Sequence, residues 1–242
     1  MALVFKGVFY KIEFRLKGVS QMELSAYEIL GPIMVGPSSS HTAGACRIAK
    51  LAKNIAKDDF KSVEFQLHGS FAYTYKGHGT DKALLGGILG FKPDDAKIQN
   101  AFELADAKGI KYQFSKIDLG DEYHPNSVKI VFCYADGSCE YVIGSSIGGG
   151  TMVIVNINGM DVQFRGIYPT LLLQYQEQKG IIAYVAGILS GNGYSIESIN
   201  TVKDPLTDVV TLTIEVEKPI SEYVKGAITG AQMFLSAKYV EV

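Results

Sequence analysis

Between residues 111 and 165 the chain carries five runs rich in β-branched and aromatic residues: Lys111–Lys116, Ser127–Tyr134, Cys139–Ser145, Thr151–Ile157 and Asp161–Arg165. Two Asx-Gly dipeptides, Asp136-Gly137 and Asn158-Gly159, fall between consecutive runs. Asn or Asp followed by Gly tolerates the positive φ of tight turns whose twist matches that of paired strands, so each dipeptide marks a hairpin. The stretch predicts an antiparallel or mixed sheet, with helices from the preceding residues to back it.

Those helices are legible. Ile48, Leu51, Ala52 and Ile55 recur at helical spacing behind a helix start near His41, with Ser39 or Ser40 as N-cap. Val63, Phe65 and Leu67 alternate over a strand, Ser62–Leu67, that runs directly into His68-Gly69-Ser70. A second helix carries Leu84, Leu85, Ile88 and Leu89, with Thr80 or Asp81 able to cap it. Gly86 and Gly87 inside it cost helix stability and so point to close packing against another element. Asp94 or Asp95 starts a third helix, with Ile98, Phe102 and Ala105 apolar and Gly109 as its C-cap.

With 47% apolar and 20% charged residues among 242, the chain suits one large or two small folded domains. A net charge of −2 with scattered Lys and Arg offers no electrostatic footprint for nucleic acid or an anionic membrane. No apolar run approaches the length of a membrane span, so a cytoplasmic protein is expected. Three cysteines without CxxC spacing argue against a disulfide framework and against a metal site complete within this chain. With Asp136-Gly137 as a two-residue loop, Cys133 and Cys139 point to opposite faces and should not form a bridge; Cys46 reads as a small helix residue. Met1–Gln21 alternates like a strand.

The chemistry gathers at Gly31–Gly44. Here two Gly-Pro pairs frame a loop that delivers Ser38, Ser39, Ser40, His41 and Thr42 to a helix start. Unpaired N–H groups and the positive end of the helix dipole favour a carboxylate or phosphate at such a place. A second helix start has a histidine in front of it, at Lys76-Gly77-His78-Gly79-Thr80-Asp81. All four histidines, His41, His68, His78 and His124, lie in loops at element ends within the first 124 residues, which favours a shared polar cleft. Gly148-Gly149-Gly150 is either a ligand loop or a glycine-rich strand entry; it lacks dinucleotide-site spacing.

GPIMVGPSSSHTAGACRIAKLA resembles the opening of the β chain of iron–sulfur-dependent L-serine dehydratases, and HGSFAYTYKGHGTDKALLGGILGF, YHPNSVKI and SIGGG resemble later segments of that chain in the same order. The resemblance covers about Met22–Val242, makes Met22 the expected start, and gives residues 1–21 no function. It implies deamination of L-serine to pyruvate and ammonia with a partner α chain, whose cysteines hold a [4Fe–4S] cluster acting as Lewis acid on the serine hydroxyl. On this view His41 is the catalytic residue, as base or orienting donor. The expected substrate-binding residues are Ser38, Ser39, Ser40, Thr42, His68, His78, Thr80, Asp81, His124 and Asn126, with no metal ligand in this chain.

From Tyr168 onward the pattern is strand, helix, strand, strand, helix, strand, a βαββαβ ferredoxin-like layout. Lys179-Gly180-Ile181 with Gly193–Asn200 resembles the ACT family of small-molecule-sensing domains. That resemblance implies a regulatory amino-acid ligand at Gly180, Ile181 and Asn200 and a dimer formed through this domain. The expected architecture is α+β: residues 22–166 similar to the allosteric-substrate-binding domain found in some phosphoglycerate dehydrogenases, then an ACT domain over 167–242. The alternative to a lyase subunit is a non-catalytic amino-acid sensor.

Overall fold

The computed structural model describes residues 33–56 and 58–241; the strand-like segment over Met1–Gln21 lies outside the described residues. The expected first helix is α1 (Ala45–Ile55), with Ile48, Leu51, Ala52 and Ile55 among its buried residues. Full burial of side chains such as Ile48 and Leu51 contributes about 2 kcal/mol each. The chain continues through β1 (Ser62–Leu67), α2 (Gly69–Thr74), α3 (Thr80–Ile88), a 3-10 turn (Ala96–Asn100), α4 (Ala101–Ala107) and β2 (Lys111–Lys116). The expectations for this segment did not include α2. Asp95 caps the 3-10 turn by accepting from the Lys97 N–H, and Gly109 follows α4 with φ +68°. The N-cap of α3 is Gly79 in the left-handed region, with no side-chain cap bond, and not Thr80 or Asp81.

Four more strands, β3 (Ser127–Cys133), β4 (Cys139–Gly148), β5 (Thr151–Ile157) and β6 (Met160–Phe164), complete a six-stranded sheet in the order β2-β1-β3-β4-β5-β6. β1 and β2 are parallel because the helical crossover between them returns the chain to the same edge; the later strands pair antiparallel through short turns. Asn158-Gly159 forms the expected two-residue turn, joining the paired Ile157 and Met160. The three glycines 148–150 all have positive φ and turn the chain from β4 into β5. α1 crosses α3 so closely that a Cβ on Gly87 would lie 2.7 Å from Ala49 Cβ and 2.8 Å from the Lys50 backbone nitrogen.

The hairpin at Asp136-Gly137 differs from expectation. Its loop is five residues long, closed by Tyr134 N–H donating to the Ser138 carbonyl, so Cys133 and Cys139 sit directly opposite in register. Opposed residues share a face. The two cysteines form a disulfide with Cα atoms 4.2 Å apart, which corrects the expectation of no bridge.

A second, four-stranded sheet holds β7 (Thr170–Gln176), β8 (Ile196–Lys203), β9 (Val209–Val216) and β10 (Ser236–Val240) in the order β10-β7-β9-β8, all antiparallel. Helices α5 (Ile181–Gly191) and α6 (Glu222–Thr229) cover one face, where Leu171, Leu173, Leu212 and Ile214 are buried. Leu172 and Val240 instead join the core of the first sheet. Across that junction Lys238 Nζ lies 3.4 Å from Glu140 Oε2, and Asn54 Nδ2 donates to the Glu241 carbonyl at 3.1 Å. Among the described residues no helix is long and apolar enough to cross a membrane.

Candidate functional site

Ser38, in extended conformation, caps the first helical turn: its Oγ accepts from the His41 N–H at 3.3 Å. The expected cap was Ser39 or Ser40. Taking the cap one or two residues earlier brings both of those serines into a π-helical turn, Ser39–Gly44, that leads into α1. Such wide turns recur at functional sites. The turn is wedged between α3 and β4. On one side Thr42 Oγ1 donates to the His78 carbonyl at 3.3 Å; on the other, a Cβ on Gly44 would lie 2.8 Å from Ser146 Cβ.

His41 is 9% exposed and its ring is held at both nitrogens. Nδ1 lies 3.1 Å from Ser40 Oγ and 3.3 Å from Ser38 Oγ, and Nε2 lies 3.1 Å from Ser70 Oγ. The Phe71 ring meets it edge-on at 5.3 Å and the His78 ring at 4.6 Å. Burial, and secondarily the neighbouring His78, lower the His41 pKa below the ordinary 6.5, which favours the neutral imidazole. A neutral imidazole that is hydrogen-bonded and mostly enclosed is suited to accept a proton.

The remaining segments converge on this turn through their backbones. His68 N–H donates to the Ser127 carbonyl at 3.0 Å, Phe71 N–H to the Pro125 carbonyl at 3.4 Å, and Ser146 N–H to the Asn126 carbonyl at 2.9 Å. Residues 38–44, 68–71, 78–80, 124–127 and 146 therefore form one neighbourhood built from both sheet ends and helix starts. Within it, His68 Nδ1 accepts the Leu119 N–H and His124 Nδ1 accepts the Asn126 N–H, each at 3.1 Å. Those nitrogens anchor loops; burial lowers the His124 pKa as well. Asp81 Oδ1 accepts from the Lys82 N–H at the start of α3, and burial raises its pKa. Three buried polar atoms, His78 Nδ1, Thr80 Oγ1 and Ser146 Oγ, have no partner among the described residues. Sequence reasoning missed Ser70 and Ser146, although both lie in segments it had singled out, His68-Gly69-Ser70 and SIGGG.

Of the three residues expected to bind a regulatory ligand, Gly180 and Ile181 are adjacent at the start of α5 and Asn200 lies on β8. Gly180 caps α5 with φ +92° and Ile181 is buried in the second core. Asn200 pairs with Thr213, on the opposite face of that sheet from Leu212 and Ile214. Its Nδ2 is buried with no hydrogen-bond partner among the described residues.

A [4Fe–4S] cluster does not fit the donors present here. Cys133 and Cys139 are joined to each other, and the Cys46 thiol, donating to the Phe91 carbonyl at 3.6 Å, has its pKa pushed up to about 12 by burial. No group of three or more His, Cys, Asp or Glu among the described residues is placed to hold a metal ion.

A family model described as serine dehydratase beta chain matches residues 25–156. The chain is 62% identical over 220 residues to the L-serine dehydratase beta chain of Peptoniphilus asaccharolyticus, covering 91% of this chain and 99% of that one. It is 37% identical over 200 residues to the probable L-serine dehydratase beta chain of Bacillus subtilis, covering 83% and 90%. The D-3-phosphoglycerate dehydrogenase of Bacillus subtilis is 24% identical over 202 residues, which span 82% of this chain and 37% of that enzyme.

Proposed function

The chain belongs to the serine dehydratase beta-chain family, and from that premise we propose that it is the β subunit of an iron–sulfur L-serine dehydratase, a lyase completed by an α chain. The substrate is L-serine and the products are pyruvate and ammonia. The cluster belongs to the α chain on this reading, and the contribution of the β chain is to bind and orient the amino acid and to move a proton.

Deamination requires loss of the α-proton of serine and of its hydroxyl as water, after which the enamine tautomerises and hydrolyses. The observation that carries the proposal is the placement of His41, enclosed and hydrogen-bonded between hydroxyls at the start of a helix, where burial lowers its pKa. His41 accepts the α-proton. Ser38, Ser39 and Ser40, with the positive end of the helical turn, hold the substrate carboxylate. Thr42, its hydroxyl given to the His78 carbonyl, fixes the turn against the second histidine segment. His78 and Thr80 line the site, and His68, His124, Asn126 and Asp81 shape the loops around it.

Residues 22–166 form the first domain and 167–242 an ACT domain, a reading supported by the βαββαβ order and the four-stranded antiparallel sheet. The edge position of β8 and the exposed Ile182, Ile199 and Tyr223 support pairing of two chains there, with Gly180, Ile181 and Asn200 of paired domains meeting a regulatory ligand. The protein acts in amino-acid metabolism in the cytoplasm.

His41→Ala in the reconstituted α/β enzyme tests the central assignment. A catalytic base removed in this way lowers kcat by about two to four orders of magnitude, with assembly unchanged by sedimentation. A kcat close to that of the unaltered enzyme rejects it.

A further inference from the structure

Among the described residues, one side chain from outside the Ser38–Gly44 segment is hydrogen-bonded to the His41 ring: Ser70, whose Oγ lies 3.1 Å from Nε2. We propose that Ser70 is a positioning residue, which accepts the Nε2–H and so leaves the Nδ1 lone pair directed to the Ser38 and Ser40 hydroxyls. The proposal rests on His41 being the base and adds how that base is set.

The two sides of the ring differ in what holds them. Nδ1 faces hydroxyls of its own loop, which are the groups assigned to the substrate carboxylate. Ser70 belongs to α2, a separate support. Its carbonyl accepts the Thr74 hydroxyl at 2.7 Å; the next residue, Phe71, is tied to Pro125, and Gly69 before it packs against Pro125, with a Cβ there only 2.8 Å from the Pro125 Cα. A base works best when the group orienting it is not itself engaged by substrate. A neutral imidazole has one donor nitrogen and one acceptor nitrogen, and a serine hydroxyl can serve either; with Ser70 accepting at Nε2, Nδ1 is the nitrogen left to take a proton. The titratable group facing the ring is His78, whose ring meets it from the segment before α3; the other polar contacts are hydroxyls.

Histidine ring nitrogens of the full chain, labelled with nitrogen-15, report the tautomer without any turnover. The unaltered chain is expected to carry the Nε2–H form at His41, Ser70→Ala to populate the Nδ1–H form, and Ser70→Thr to restore the first pattern. In the reconstituted α/β enzyme Ser70→Ala should lower kcat roughly tenfold, the worth of one hydrogen bond, with KM within about twofold, and Ser70→Thr should recover most of it. An unchanged His41 tautomer in Ser70→Ala overturns the proposal, as does an unchanged kcat in that variant when His41→Ala is inactive. Should His41→Ala itself retain full kcat, the assignment of the base fails, and the tautomer pattern alone then decides whether Ser70 holds the ring. Ser70→Cys, which keeps the volume and weakens the acceptor, repeats both readings if the alanine variant does not fold.

Discussion

Thr80 is wholly buried, its hydroxyl has no partner among the described residues, and yet it stands two positions from the histidine that meets His41. An unpartnered buried hydroxyl costs about 1–3 kcal/mol relative to an apolar group of the same shape. Thr80→Val, an isosteric change, is therefore expected to raise stability by about 1–3 kcal/mol. If the hydroxyl serves the bound substrate, the same variant raises KM in the α/β enzyme. Denaturant midpoints and initial rates on one preparation check the pair of outcomes; a drop in stability with normal KM would mark a structural hydroxyl. The same reasoning explains why residue types alone left the site half-read. His41, His68, His78 and His124 were equivalent as letters, and only their partners separate a ring held between hydroxyls from rings whose Nδ1 anchors a loop.

The contact of α1 with α3 decides where the π-helical turn sits, because α1 continues directly from it. Gly87 permits that contact, and a methyl group there would meet the Cys46 carbonyl, Ala49 Cβ and the Lys50 nitrogen, of which two are backbone atoms that cannot turn aside. Gly87→Ala is expected to lower stability by about 3 kcal/mol despite the gain in helix propensity, as measured by urea unfolding. An increase in stability would mean that the helices separate freely. The glycine pair was legible as a packing signal because Gly in a helix interior has a known cost. The caps were less legible. Ser38, Ser39 and Ser40 are chemically alike, and the choice among them follows from where β4 and α3 hold the turn.

The two sheets share buried surface through Leu172 and Val240, with Lys238 and Glu140 paired at the edge. A chain ended after residue 166 loses that cover, so its melting temperature is expected to fall while unfolding stays cooperative. Every histidine and the serine run lie before residue 166, and turnover with the α chain should persist, with altered oligomer size or serine dependence. Loss of all turnover by a folded truncation that still binds the α chain would show that the second sheet helps build the site. Calorimetry with rate measurements on the reconstituted enzyme reads both.

Periodicity and turn chemistry were enough for the element order apart from the short α2, since hydrophobic alternation and Asx-Gly or Gly-Pro signals act over a few residues. Asn158-Gly159 obeyed that local rule. Asp136-Gly137 did not, because the pairing of β3 with β1 and β4 sets the register of Cys133 and Cys139, and the loop adapts to it. The site motif was visible as a cluster of hydroxyls and imidazoles, but its geometry required Ser70, twenty-nine positions from His41. Long-range pairing of strands and the close crossing of helices decide such distances, and neither is written in any local pattern.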